Sequence, residues 1–268
     1  MYRPSSADPF CVERPYQIPG LSGSELASAR LRRLSRGETI SEPGRPEIVG
    51  YVVSGVVKLV TFSPDGRTNI IAVIEAPSFF GRLFGINAEF TIEAASDVVL
   101  ACFDRDAFER EIARSPQLEH RIHVENLHQL DEAHERITVL ACQTIIERVA
   151  TYMVLRLLSA EARGVAGSST APIIHVPIDR RDFAAYLGTT VETVSRSIQA
   201  LVRRGTISVI DSANIRLLRR RDLFAIARQD ENDLLDIVRS RARHVHDRKL
   251  FVAGDHGDQD AGYRYAAE

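Results

Sequence analysis

The chain has 268 residues, a formal net charge of −2, 44% hydrophobic and 26% charged residues, the proportions of a soluble globular protein with room for two ordinary domains. No segment approaches the roughly 18 consecutive apolar residues of a membrane span, and the first twenty residues lack an apolar signal core, so a cytoplasmic protein with no membrane partner is expected. Its three cysteines, Cys11, Cys102 and Cys142, are far apart and odd in number, which suits a reducing compartment and argues against a disulfide framework.

Residues 1–20 are rich in Pro and Ser without periodicity and predict a flexible arm. Across 21–115 short β-type runs alternate with turn signals; Tyr51–Val53, Val56–Phe62, Thr68–Val73 and Val98–Phe103 are strand candidates. Ser63-Pro64-Asp65-Gly66-Arg67 places Pro and Gly where a hairpin turn needs them. Short strands at this spacing predict a small antiparallel barrel or jelly roll. Pro116 then opens a long helix over 116–141, in which His123, Leu127, Leu130, His134, Ile137 and Ala141 recur at steps of four and three. That is a heptad seam flanked by Glu125, Glu132, Glu135 and Arg136. A seam so narrow on so polar a helix predicts a two-fold coiled coil, with His123, Leu127, Leu130, His134 and Ile137 at a homodimer interface. The next helix, about 143–161, has the broader apolar face of a core helix and begins a second domain at 142–228. Ile173 to Ile178 is a strand candidate. In the extension at 229–268, Asp233–Val245 is an amphipathic helix candidate, and the polar, Gly-rich end predicts disorder.

The stretch at 179–204, DRRDFAAYLGTTVETVSRSIQALVRR, is the most informative of the chain. A short helix to Tyr186 turns Phe183, Ala184 and Leu187 inward, and Gly188 stops it with the positive φ that such an end favours. Thr189 or Thr190 caps a second helix, with Glu192 close to capping-box spacing. Val191, Val194, Ile198 and Leu201 recur on its inward face, which leaves Glu192, Ser195, Arg196 and Gln199 free to enter a major groove. Gly205 ends it, and Thr206–Ile210 with Ile215–Leu218 read as a β-hairpin wing. Between Ala171 and Asp230 ten arginines face six acids, an excess of about four positive charges on the segment that must meet phosphates. The fold class expected is α+β: an N-terminal antiparallel β-roll, a long dimerisation helix and a C-terminal winged helix-turn-helix.

YLGTTVETVSRSIQALVRRG resembles the DNA-binding signature of the CRP/FNR family of bacterial transcription regulators, and RGETISEPG, YVVSGVVKLVTFSPDGRTNIIAVI and FFGRLFG resemble that family's cyclic-nucleotide-binding-like β-roll. The resemblance covers about residues 31–225, and the E-x-x-S-R pattern at Glu192, Ser195 and Arg196 is that of the FNR/FixK side. It implies a homodimer on a palindrome resembling TTGAT-N4-ATCAA, an activator, and RNA polymerase as partner, contacted through loops such as Arg82–Glu89. The residue chemistry agrees. Arg196 can hold guanine O6 and N7, Glu192 can accept from cytosine N4, and Ser195 is short enough to sit against thymine. Arg180, Arg181 and Thr190 match the positions that hold backbone phosphates. Arg203 and Arg204 are equally compatible with phosphate contact and with a solvated face.

The sensor side departs from the family. Cyclic-nucleotide binders resembling this chain carry a Gly-Glu-Leu turn and an Arg-Ser or Arg-Thr pair. Here Gly81-Arg82-Leu83 and Glu89-Phe90-Thr91 stand instead, so the ribose-holding carboxylate and the phosphate-pairing guanidinium are both missing. Phe79, Phe80, Leu83 and Phe90 then read as packing residues. An iron–sulfur cluster of the family's type needs clustered N-terminal cysteines, and only Cys11 lies there. Cys142, at the junction of the two domains, is a candidate redox reporter; a packed small hydrophobe is the alternative. Four of the eight histidines, His120, His123, His128 and His134, lie on or near the long helix, and a haem or metal site at the seam competes there with polar residues that set register. Residues 31–110 contain no histidine, which argues against a cupin-type metalloenzyme.

The expectation is therefore a non-enzymatic, FixK-like regulator that binds double-stranded DNA without a cofactor or bound metal. The main rival is an effector-dependent regulator that senses haem, nitric oxide, redox state or a small metabolite. A metal-dependent enzyme with an accessory DNA-binding domain is the rival from another class.

Overall fold

The computed structural model describes residues 29–44, 47–64, 66–85, 88–162 and 171–228, together with Leu234, Leu235 and Val238. The expected arm at 1–20, Cys11 and nearly all of the extension at 229–268 lie outside the described residues.

Eight strands come first: β1 (Arg30–Leu34), β2 (Thr39–Ser41), β3 (Ile48–Ser54), β4 (Val56–Phe62), β5 (Thr68–Glu75), β6 (Ser78–Phe80), β7 (Thr91–Ala94) and β8 (Val98–Asp104). They form two antiparallel sheets, ordered β1-β8-β3-β6 and β2-β7-β4-β5. The 63–67 hairpin joins β4 to β5, with Phe62 opposite Thr68. Gly55 turns β3 into β4 at φ +86°, and a Cβ there would lie 2.3 Å from the Asp97 carbonyl oxygen. Between the sheets Val52, Val57, Ile74, Phe80, Ile92 and Leu100 are buried. β1, β2, β6 and β7, three to five residues long, were too short to raise a periodic signal.

Within the 21–115 stretch expected to be β-type, helix α1 (Arg105–Ile112) follows β8, capped by Asp104, whose carboxylate accepts from the Ala107 amide at 2.8 Å. With Val49, Tyr51, Phe79 and Phe103 it forms a second cluster on the outer face of the first sheet, and Leu118 and Ile122 of the long helix α2 (Pro116–Ala141) close it. Phe79 sits 5.3 Å edge-on from Tyr51 and 5.9 Å stacked on Phe108. Ser115 caps α2 and Pro116 takes its first turn, where a missing N–H costs nothing.

The rest packs around one core. Helix α3 (Ile145–Ala162), β9 (Ile173–His175), α4 (Arg180–Tyr186), α5 (Val191–Arg203), the wing β10 (Ile207–Val209) and β11 (Asn214–Leu217), and α6 (Arg220–Ala227) bury Val149, Met153, Leu157, Phe183, Leu187, Val194, Leu201 and Leu223 together. The strand expected over Ile173 to Ile178 is limited to β9, and α6 was not foreseen. The core is continuous with the β-roll through Val56 and Ala95. Of the helix candidate Asp233–Val245 only Leu234, Leu235 and Val238 are described; all three are helical, and Leu234 and Val238 enter this core.

Candidate nucleic-acid interface

Helix α4 is capped by Asp179, whose Oδ1 accepts from the Asp182 amide at 2.7 Å. Phe183, Ala184 and Leu187 are buried as the spacing predicts, and Phe183 lies 4.8 Å from the Tyr152 ring. The chain leaves the helix through Gly188 at φ +66°, while the Thr189 amide bonds the Ala184 carbonyl at 3.0 Å. Thr190, not Thr189, caps α5: its hydroxyl accepts from the Thr193 amide at 3.3 Å. Val194, Ile198 and Leu201 anchor the inward face, and Gly205 at φ +67° stops the helix.

On the opposite face Glu192, Arg196 and Gln199 are exposed and Ser195 is half-buried. One helical turn therefore presents a carboxylate, a hydroxyl and a guanidinium to solvent. The Glu192 carboxyl is held below its ordinary range by its own backbone amide, by the Thr190 hydroxyl and by the charge of Arg196. It is thus an acceptor throughout the neutral range, which is what a cytosine amino group requires. Arg181 and Thr190 are exposed beside this face; Arg180 is half-buried, and desolvation lowers its pKa from the ordinary value. The wing turn is rigid. The Asp211 carboxylate accepts from the Asn214 side chain at 2.9 and 3.1 Å and from the Ala213 and Asn214 amides at 2.8 Å, which holds its pKa low.

Sequence reading missed how this unit is tied to the β-roll. Lys58 of β4 pairs with Asp182 at 2.7 Å and Glu93 at 3.5 Å, Arg36 pairs with the cap residue Asp179, and Arg156 of α3 grips Glu75 of β5. The pairs that join the two units, Lys58–Asp182, Arg36–Asp179 and Arg156–Glu75, lie 81 to 143 residues apart, and no local pattern connects them.

Along α2, His123, Leu127, Leu130, His134, Ile137 and Ala141 are all exposed, with Leu127 at 45%, Leu130 at 50% and Ile137 at 63%. Leu118, Ile122 and Val139 fix the two ends of the helix to the rest of the chain, and the seam between them is left open. Cys142 is buried at the corner after α2, its Sγ 3.3 Å from the Thr151 hydroxyl. Burial pushes the Cys102 thiol up to about 11, so it stays protonated and unreactive at neutral pH.

In the β-roll, Gly81 turns at φ +104° against Val49, Arg82 is exposed and folds over Gly85, and Phe90 packs on the intersheet cluster. Among the described residues Phe90, not a cation, occupies the position from which the family's guanidinium would pair a cyclic phosphate, so the residues present do not fit a cyclic nucleotide held in that manner. Phe79, Phe80, Leu83 and Phe90 all take part in packing. No group of three metal-ligating side chains occurs among the described residues, and none of the described helices is long and apolar enough to cross a membrane.

Residues 31–115 match the cyclic nucleotide-binding domain model and residues 147–226 the Crp-like helix-turn-helix domain model. A probable transcriptional activator of Rhizobium leguminosarum bv. viciae is 32% identical over 71% of this chain and 82% of its own length. The nitrogen fixation regulation protein FixK of Bradyrhizobium diazoefficiens is 32% identical over 75% of this chain and 87% of its own. The solved structure of FixK2 from Bradyrhizobium japonicum superposes with a TM-score of 0.62 at 28% identity, covering 74% of this chain and 96% of that one.

Proposed function

The chain belongs to the CRP/FNR family of DNA-binding transcription regulators, on its FixK-like side, and from that premise we propose that it is an activator that binds a palindrome resembling TTGAT-N4-ATCAA as a homodimer, with no required effector. The observation that carries this reading is the placement of exposed Glu192 and Arg196, with half-buried Ser195 between them, on the face of α5 opposite buried Val194, Ile198 and Leu201. Arg196 reads guanine, Glu192 the paired cytosine and Ser195 an adjacent thymine. Arg181 and Thr190, with Arg180 behind them, meet the phosphates that fix register. The open seam of α2 takes a second copy of itself, which suits the two-fold symmetry of the site. On this reading 21–115 is the β-roll domain, 116–141 the dimerisation helix and 142–228 the DNA-binding domain. The protein acts in the cytoplasm and meets RNA polymerase through β-roll loops, where Phe84 stands 68% exposed. It is not an enzyme; its relatives are named as regulators.

Independence from an effector follows from the missing cassette at Arg82 and Phe90, together with the ion pairs that hold the DNA-binding unit to the β-roll without any ligand. A gel shift of purified protein on the TTGAT-N4-ATCAA duplex, with nothing added, tests it. Retarded complex is expected; a complex formed only with haem, nitric oxide or a metabolite would overturn the effector-free part. That second reading has one observation in its favour, a cleft between β4–β5, α2 and α3 lined by Leu59, Val73, Gln129, Arg136, Tyr152 and Tyr186.

A further inference from the structure

At the end of α4 the amides of Leu187, Gly188 and Thr189 take the carbonyls of Phe183, Ala185 and Ala184, and arginines from two other elements take those of Tyr186 and Leu187. Arg148, in the first turn of α3, donates from Nη1 to the Leu187 carbonyl at 3.0 Å and from Nε to the Cys142 carbonyl at 3.1 Å. One guanidinium thus joins the C-terminal ends of α2 and α4, where a cation also meets the negative end of each helix. Arg136, on α2 itself, donates to the Tyr186 carbonyl at 3.4 Å with its guanidinium 5.2 Å from the Tyr186 ring centroid. Its Nε is buried without a hydrogen-bond partner, and desolvation lowers its pKa from the ordinary value. Folding therefore keeps a costly cation here rather than an apolar residue.

The place of these two side chains points to what they do. Tyr186 and Leu187 close α4, and α5 starts at Val191, only four residues beyond Leu187. A Cβ on Gly188, in the turn itself, would lie 3.8 Å from Arg148 Nη1. The reading helix is thus located with respect to the dimerisation helix through Arg136 directly and through Arg148 at the corner after it. In a two-fold dimer this joint fixes the separation and relative angle of the two reading helices, hence the half-site spacing that fits both at once.

We propose that Arg136 and Arg148 are positioning residues that set the half-site spacing of the operator, without touching DNA. The proposal rests on the homodimer reading above. One base pair more or less turns the second half-site by roughly 35° and moves it by about 3.4 Å, which a rigid joint rejects and a loose one accommodates. The planar fork of Arg148 spans two carbonyls; a lysine would reach one.

The test measures affinity of the full chain for three duplexes whose half-sites are separated by three, four or five base pairs, across a salt series. Wild type should prefer the four-base-pair spacer by roughly thirtyfold or more. In Arg136→Gln/Arg148→Met that preference should fall to about fivefold or less, chiefly through weaker binding to the four-base-pair site. Arg148→Lys should lie between the two. Should the double variant not fold, Arg136→Gln alone, which removes the longer bond, should still lower the preference about threefold. An equal loss on all three duplexes, with the salt slope of the double variant reduced by about two per half-site, would make these arginines phosphate contacts and overturn the proposal. Equal loss with an unchanged salt slope would reduce them to ordinary stabilising residues and overturn it too. Wild type indifferent to spacing would show instead that the palindromic dimer itself is wrong, and the positioning role of Arg136 and Arg148 would fall with it.

Discussion

At the reading helix, Glu192 and Arg196 stand exposed and Ser195 half-exposed, on a scaffold anchored by Val194, Ile198 and Leu201. In the β-roll the scaffold is equally intact, with Val52, Phe80 and Leu100 buried between two sheets, yet Arg82 stands where a carboxylate would hold the ribose of a cyclic nucleotide and Phe90 where a guanidinium would pair its phosphate. A fold is kept by an apolar pattern spread over dozens of residues, whereas a ligand site is kept by two or three polar ones. The two can therefore part, and on the function proposed above they part in the β-roll and not at the reading helix.

The largest effect should come from the element that links the two ends. Leu130→Glu places a carboxylate on the open seam of α2 opposite its own copy, so the protein should sediment as a monomer and its affinity for the palindrome should fall about a hundredfold or more. A dimer surviving that change would place the interface elsewhere.

A smaller, more local loss is expected at the reading face. Arg196→Met removes the bidentate guanine contact proposed for this side chain and should cost about 1–3 kcal/mol per half-site. Discrimination at the guanine should relax, and melting should barely change because Arg196 is exposed. A uniform loss across all sequences would reassign Arg196 to the phosphates.

The smallest effect belongs to the β-roll. Arg82→Ala should leave operator affinity within about twofold, and cyclic AMP should alter neither binding nor melting. A melting rise with cyclic AMP would mean that the pocket has found another way to hold the phosphate.

Legibility in the sequence followed the same division. The turn chemistry of Gly188, Thr190 and Gly205 and the inward period of α5 are local signals, so the helix-turn-helix could be read nearly residue by residue. The helix α2 and the row of apolar residues along it were equally plain, because a step of four and three residues needs no knowledge of the rest of the fold; the structure leaves that row exposed. The short strands β1, β2, β6 and β7 carry too few residues for a period, and α1 starts at the end of β8 with only Asp104 as a signal. The joints between units were illegible. Lys58 with Asp182, Glu75 with Arg156, and Arg136 and Arg148 with the end of α4 are all contacts that only the folded chain brings together.

The most direct measurement is the dissociation constant of the purified protein for the TTGAT-N4-ATCAA duplex at about 0.15 M salt, with and without haem, nitric oxide and cyclic AMP. An effector-free value of about 10⁻⁸ M or tighter, unchanged by any addition, is predicted. Binding no tighter than about 10⁻⁵ M until one of them is supplied would contradict the account, because the reading helix would then be waiting on a signal that the β-roll still receives.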